Sequence, residues 1–304
     1  MPARAVRPHA PIDVIAPAGP FDRAIFEKSL QELQSRGLQL RFRPDVFSRD
    51  RFLAGDDARR GAELHDALTN PDSDVIWCAR GGYGTTRLLP HLPIELIRRA
   101  NKILVGFSDI TALHARWLAA GVPSIHGGMI ARFSQEPDDV ATRLLQLVRT
   151  GAPPAPLTGK PLTSGRAEGV LTGGNLMVLN SMLGTPYQPD FRGKIVLLED
   201  VGERPYRIDR MLVQCTQAGL FEGVAGIALG EFTDCEERDG SSTSAQVLES
   251  QLAPLGVPII FGLPCGHGSV NQAVPFGVRA RLDAHEGTLS FLESIHAGAP
   301  AHVS

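Results

Sequence analysis

Short apolar runs recur along the first half of the chain at Ile12–Ala16, Leu38–Phe42, Val75–Ala79 and Ile103–Val105. Runs this brief, with no polar residue alternating through them, predict strands buried on both faces. Between them the apolar spacing changes. FDRAIFEKSLQELQSRG sets Ile25, Leu30 and Leu33 near helical spacing and predicts a helix ending at Gly37; ARRGAELHDALTN predicts another that stops before Pro71. Alternating buried strands and amphipathic helices predict a mostly parallel sheet covered on both faces. Ligands of such sheets bind beyond the carboxyl ends of the strands, which singles out Pro17–Pro20, Arg80–Gly84 and Phe107–Thr111.

The pattern breaks over residues 150–164, TGAPPAPLTGKPLTS, which carry four prolines and no periodicity. This predicts an N-terminal α/β domain over 1–149, a linker over 150–164 and a C-terminal domain over 165–304. In the second half Ile195–Glu199, Gly226–Leu229, Pro258–Phe261, Val278–Leu282 and Thr288–Leu292 predict strands, and Tyr206–Ala218 predicts a helix. The last two strands are joined by the short turn AHEG, so parallel and antiparallel pairing are both expected there.

Composition narrows the function classes. The 304 residues carry 30 Lys plus Arg against 33 Asp plus Glu, a formal charge of −3, which argues against a general nucleic-acid binder. Of the basic residues 26 are Arg, a bias toward rigid carboxylate recognition only where an Arg is buried. Gly and Pro together number 55, too many for a helix bundle, and they call for many tight turns. Cys78, Cys215, Cys235 and Cys265 are widely spaced, which fits reduced thiols in a cytosol. No stretch approaches 18 uninterrupted apolar residues, and the start of the chain has no apolar run of signal-peptide length; a soluble, cytoplasmic protein is expected.

The sharpest local feature is KILVGFSDITALHARWLAAG. A strand ends at Val105, Gly106 permits a tight turn, Ser108 sits at its apex, and a helix begins at Asp109. A hydroxyl on a strand–turn–helix bend is exposed at the sheet edge, beside a helix N-terminus that favours developing negative charge. The segment lacks the second glycine of G-x-S-x-G, and helix capping by Ser108 or Asp109 explains it equally well. A serine nucleophile needs a base. His9, His296 and His302 lie in tails, His65, His91 and His114 in or beside helices, and His285 in a hairpin turn. His126 in SIHGGM and His267 in LPCGHGSVNQ remain, and His267, flanked by Gly266 and Gly268, has access to a cleft. Glu199, closing the strand KIVLLED, is a carboxylate whose burial demands a partner, and His267 would satisfy it. Cys265 with His267 is a weak metal signal.

Two glycine-rich segments fit the same chemistry: Arg80-Gly81-Gly82-Tyr83-Gly84, whose amides suit an oxyanion hole, and Gly173-Gly174-Asn175, a turn whose side-chain amide suits a substrate carboxylate. In GERPYRIDRML, Glu203, Arg204, Tyr206, Arg207 and Arg210 crowd one stretch, with Asp209 as an expected ion-pair partner of the arginines.

Taken together, APAGP, AGDDARRGAELHDAL, ARGGYGTTRLL, GFSDIT, HGGM, GGNL, LLEDVGERPYRIDRML, GHG and VPFG, in this order over residues 16–277, resemble the LD-carboxypeptidase family of serine peptidases, which includes muramoyl-tetrapeptide carboxypeptidases and microcin C immunity proteins. The resemblance implies Ser108 as nucleophile, His267 as general base, Glu199 as its orienter, and the backbone amides of Gly82 and Asp109 as oxyanion donors. It implies an N-terminal flavodoxin-like or Rossmann-like parallel-sheet domain with a smaller, β-rich C-terminal α/β domain, paired as a homodimer. The implied activity releases terminal D-alanine from muropeptide tetrapeptides during peptidoglycan recycling, with no metal or organic cofactor. Gly81, Tyr83, His126, Gly174, Asn175, Arg204 and Arg207 are candidate substrate contacts. HGGM departs from the family's more frequent HGPM, and no Trp occurs between His126 and Gly173, which favours muropeptides over acyl-sulfamoyl nucleotides. The alternatives are microcin-immunity-type hydrolysis of an acyl-sulfamoyl adenylate or another peptide conjugate, a non-enzymatic cytosolic ligand-binding protein, and a metal hydrolase built on His267, Glu199 and Cys265.

Overall fold

The computed structural model describes residues 2–7 and 9–296, so His302 lies outside it. The chain divides into two units: Met1–Pro153 with Gln272–Gly277 and the segment from Ser294 onward, and Pro154–Asn271 with Val278–Glu293.

The first unit runs β1 (Ile12–Ile15), α1 (Arg23–Ser35), β2 (Leu40–Arg41), α2 (Asp57–Thr69), β3 (Val75–Cys78), α3 (Ile94–Ala100), β4 (Ile103–Gly106), α4 (Thr111–Ala120), β5 (Ser124–His126) and α5 (Asp138–Thr150). Five parallel strands take the order β2-β1-β3-β4-β5, a doubly wound arrangement. Val274–Phe276 adds a sixth, antiparallel strand beside β5, so a late segment of the chain completes the first sheet. β1, β3 and β4 are buried throughout, as their unbroken apolar runs predict. The helix starts are chemical. Asp22 accepts from the Ile25 amide at 2.9 Å and Asp56 from the Arg59 amide at 2.7 Å, each satisfying an N–H that the first turn leaves open. The one carboxylate inside β1, Asp13, is 3% exposed and accepts from Asn70, Ser73 and Arg41. His296 is buried against Gly151 and bridges to Ala3, instead of lying in a tail.

The second unit contains β6 (Leu157–Thr158), β7 (Lys160–Pro161), β8 (Arg166–Asn175), α6 (Leu176–Ser181), β9 (Lys194–Val201), α7 (Pro205–Gln217), β10 (Gly226–Thr233), α8 (Ser244–Leu252) and β11 (Ile259–Phe261). With Val274–Phe276 counted as β12, β13 (Arg279–Asp283) and β14 (Thr288–Phe291) complete it. Its strand order is β6-β14-β13-β8-β9-β10-β11-β7, with β8 to β11 parallel and the remaining pairs antiparallel. The edge strands β6 and β7 run in the same direction and only Gly159 separates them. One short extended segment is therefore hydrogen-bonded to both edges, which curls the sheet into a barrel and leaves neither edge unpaired.

The expectation of a smaller C-terminal domain is overturned: its sheet has eight strands against six. The proline-rich run reads as aperiodic because β6 and β7 are only two residues each. β8, which alternates exposed and partly buried residues before its buried end, carries Gly173 and Gly174 inside a strand and not in a turn.

Candidate active site

β4 ends at Gly106, and the chain enters a single 3₁₀ turn over Ser108–Ile110 before α4. Ser108 has φ of +62°, a left-handed conformation unfavourable for a side-chain-bearing residue and typical of a strained strand-to-helix bend. Its hydroxyl does not cap the turn; the cap position is Phe107 and no side chain fills it. Beneath the bend His114 is fully buried, with Nε2 2.8 Å from the Gly106 carbonyl and Nδ1 2.8 Å from Ser124 Oγ. A carbonyl only accepts, so Nε2 carries the hydrogen and Nδ1 accepts from the hydroxyl. Burial lowers this imidazole to about 4, keeping it neutral.

The glycine-rich segment after β3 lies against that bend. A Cβ on Gly81 would stand 3.0 Å from Ser108 Cβ and 3.3 Å from Oγ, so a side chain there would press on Ser108. The Gly19 amide donates to the Gly81 carbonyl at 2.9 Å. Because the peptide is trans, the Gly82 N–H points away from Gly19. Among the described residues the Gly82 amide donates to no backbone carbonyl, and Asp109 is the second residue of its 3₁₀ turn, a position whose N–H has no partner within the turn. The Asp109 carboxylate is buried, accepts from the Thr85 amide at 2.9 Å, and is pushed up by that burial.

In the second unit β9 delivers Glu199, fully buried, with Oε2 2.6 Å from His267 Nδ1. An ionised Glu199 fixes the hydrogen on Nδ1 and leaves Nε2 as the basic nitrogen. The loop around His267 is shaped by its glycines. Gly266 has φ of +120°, donates its amide to Asn271 Oδ1 at 3.0 Å, and would place a Cβ 2.9 Å from Glu199 Oε2. A Cβ on Gly268 would overlap Glu231 Oε2. Glu231 stands where the β9–β10 register shifts between Leu229 and Phe232, an irregularity that re-aims side chains. Its half-buried carboxyl is pushed up by desolvation. Glu231, Thr85 and Arg60 were not singled out from sequence; the run DDARR holds Arg60 and ALGEF holds Glu231, while Thr85 in GYGTTRLL carries no signal of its own.

The other candidates fall in varied surroundings. Asn175 is 4% exposed, and its amide is occupied: Oδ1 accepts from the Val178 amide at 3.1 Å and Nδ2 donates to Asp200 Oδ1 at 2.9 Å. It caps α6 and holds Asp200, whose carboxyl burial raises to about 6; Gly174 precedes it in β8 at φ of +130°. His126 is also fully buried, packed on Phe107 and Phe276 at 5.8 and 5.4 Å between ring centres, which leaves no ring surface for a ligand. Tyr83 is exposed and meets Phe52 at 5.7 Å, forming an aromatic surface next to Gly82. Arg204 pairs with Glu237 at 3.7 Å and Arg207 with Glu203 at 3.5 Å, both at the surface. Asp209, expected to pair with the arginines, instead accepts from Gln251 at 2.7 Å. No helix among the described residues is long and apolar enough to cross a membrane.

Two family models match the chain: the LD-carboxypeptidase N-terminal domain over residues 12–127 and the LD-carboxypeptidase C-terminal domain over residues 168–282. A putative carboxypeptidase of Synechocystis is 41% identical over 290 residues, covering 94% of this chain and 96% of that protein. Among solved structures, muramoyltetrapeptide carboxypeptidase from Oxalobacter formigenes is 31% identical with a TM-score of 0.82, covering 92% of this chain and 97% of the other. The self-immunity protein MccF in complex with glutamyl sulfamoyl guanosine has a TM-score of 0.86 at 22% identity, covering 97% and 99%.

Proposed function

Because the chain belongs to the LD-carboxypeptidase family and is a hydrolase of small peptide-type substrates, we propose that it works through a Ser108–His267–Glu199 triad and an acyl-enzyme. The observation that carries this reading is the 2.6 Å hydrogen bond between a fully buried Glu199 and His267, the orienter–base half of such a triad. In the reaction His267 Nε2 takes the Ser108 hydroxyl proton as Oγ attacks the scissile carbonyl. The Gly82 and Asp109 amides receive the negative charge of the tetrahedral intermediate. The C–N bond breaks, His267 returns the proton to the departing amine, and water then frees the acid by reverse use of the same base.

Two substrates compete for this machinery. The first is the LD bond to a terminal D-alanine in a muropeptide tetrapeptide, supported by the 31% identity to the Oxalobacter muramoyltetrapeptide carboxypeptidase. The second is an aminoacyl-sulfamoyl nucleoside or a related peptide conjugate. The exposed Phe52–Tyr83 pair beside Gly82 favours it, since a flat base stacks on such rings. Of the remaining candidates, Tyr83, Arg204 and Arg207 are open to substrate, while Asn175 and His126 act from within the fold. The reading includes a cytoplasmic homodimer, which cell fractionation and sedimentation test.

Purified protein incubated with an LD-linked tetrapeptide and, separately, with an aminoacyl-sulfamoyl adenosine decides between the substrates by which one releases its amine. Full activity of Ser108→Ala on either would sink the nucleophile assignment. Activity retained in both Glu199→Ala and His267→Ala would remove the triad.

A further inference from the structure

Between Gly81 and Thr85 the glycine-rich segment is pinned at three points. Gly19 holds the Gly81 carbonyl. Arg60, with no exposed surface, donates through Nη1 to the Gly84 carbonyl at 2.9 Å and to the Pro17 carbonyl, and through Nη2 to Asp57. Thr85, also fully buried, donates twice to Asp109: its amide to Asp109 Oδ2 at 2.9 Å and its hydroxyl to the Asp109 carbonyl at 2.5 Å. Gly82 lies inside this pinned stretch, and Asp109 accepts both Thr85 bonds.

Burying a guanidinium is costly unless its donors are met; both Arg60 Nη groups have partners, while Nε has none among the described residues. The Arg60 bond to Gly84 and the Thr85 bonds to Asp109 together join the two segments that carry the Gly82 and Asp109 amides. Gly84, at φ of +134°, lets the Arg60 head approach; a Cβ there would stand 2.6 Å from Nη1. Thr85 then ties that segment directly to the turn that carries Ser108.

We propose that Arg60, Thr85 and the Asp109 carboxylate are positioning residues that set the gap between the Gly82 and Asp109 amides, and so tune stabilisation of the tetrahedral intermediate. The inference rests on the reading of those amides as oxyanion donors. It assigns Asp109 a side-chain role distinct from its amide and gives one buried arginine of DDARR a task in the reaction.

The test compares the wild-type chain with Thr85→Val, Thr85→Ser and Arg60→Lys, measuring kcat, KM, thermal midpoint and affinity for a peptide boronic acid, whose serine adduct is tetrahedral. Thr85→Val keeps the side-chain shape and loses the hydroxyl bond. It is expected to lower kcat about 10- to 100-fold with KM within twofold, and to weaken boronate binding by the same factor. Thr85→Ser keeps the hydroxyl and retains the rate. If Thr85→Val folds and keeps kcat and boronate affinity within twofold of the wild type, the inference is overturned, whatever Arg60→Lys does to the thermal midpoint. Absence of any boronate adduct on wild-type Ser108 strikes the serine reading itself and this inference with it; an adduct equally tight in wild type and Thr85→Val strikes this inference alone.

Discussion

Glu199 Oε2 lies 2.6 Å from His267 Nδ1, and the carboxylate is fully buried while the imidazole keeps 17% of its surface open. A buried carboxylate this close to a histidine holds one tautomer and stabilises the imidazolium that forms when the ring takes a proton. Orientation and charge are therefore supplied from below the loop, and the basic nitrogen is Nε2.

Replacing Glu199 with Gln keeps the size of the side chain and removes the charge. The amide nitrogen can donate to Nδ1, which forces the ring hydrogen onto Nε2 and abolishes its basicity. The expected outcome is a loss of kcat of about 10³-fold or more with a fold intact by circular dichroism. Steady-state kinetics on whichever substrate turns over checks it; a kcat within threefold of wild type would remove the pair from the mechanism.

The strands β1, β3 and β4 and the helices α1, α2 and α7 were legible because burial on two faces or one leaves an unbroken or a helical apolar pattern. β5 and β12 were not, since three residues such as Ser124–His126 carry no pattern of their own and gain strand character by pairing, β5 with β4 and β12 with β5. β6 and β7 have the same problem, and β8 was hidden by Gly173 and Gly174. Those glycines read as a turn, but Gly173 serves close strand packing: a Cβ there would collide with Leu197 backbone atoms. At the candidate site, Glu199 and His267 were legible because a carboxylate ending an apolar run needs a partner. Thr85, Arg60 and Glu231 were not, because their roles depend on contacts 24 or more positions away or on a strand irregularity.

Gly266 and Gly268 flank His267 and differ in what they make room for. At Gly266 a methyl group meets Glu199, which cannot yield without leaving His267, and φ of +120° is strained for any side chain. Gly266→Ala is expected to lower kcat more than 100-fold. At Gly268 the obstruction is the end of the Glu231 side chain, which can rotate aside. Gly268→Ala is expected to cost less, and Glu231→Ala in the same chain should recover most of the loss. Failure of the double variant to exceed Gly268→Ala in kcat would show that Glu231 is not what the glycine accommodates.

Asn175 joins two supports, the α6 cap and the partner of a buried Asp200. Asn175→Ala removes both and leaves the Asp200 carboxyl short of a donor in a buried setting, at a cost of roughly 2 kcal/mol. Asn175→Asp keeps the cap but sets a second carboxyl against Asp200, which should destabilise most above pH 6, where Asp200 ionises. Urea unfolding of both variants at pH 5 and pH 7.5 measures this. The result against it is an Asn175→Asp penalty that is the same at the two pH values.

The buried His114 makes acid sensitivity a property of the bend that carries Ser108. Its folded value of about 4 lies below the ordinary value of about 6.5, so between these the unfolded chain binds a proton that the folded chain refuses. Stability from this group is full above pH 6.5 and falls as pH is lowered toward 4, by up to about 3 kcal/mol. His296, also lowered by burial, acts in the same direction. Asp200, raised to about 6, acts oppositely, since over pH 4 to 6 the folded chain holds a proton that the unfolded chain releases. His114→Gln isolates one contribution from the others, because Gln can still donate to the Gly106 carbonyl and does not titrate. Urea midpoints of wild type and His114→Gln should converge from pH 7.5 to pH 4.5 as the wild type loses its advantage. Parallel midpoints across that range would mean that His114 is protonated in the fold and that its hydrogen bonds to Gly106 and Ser124 are not those of the neutral ring.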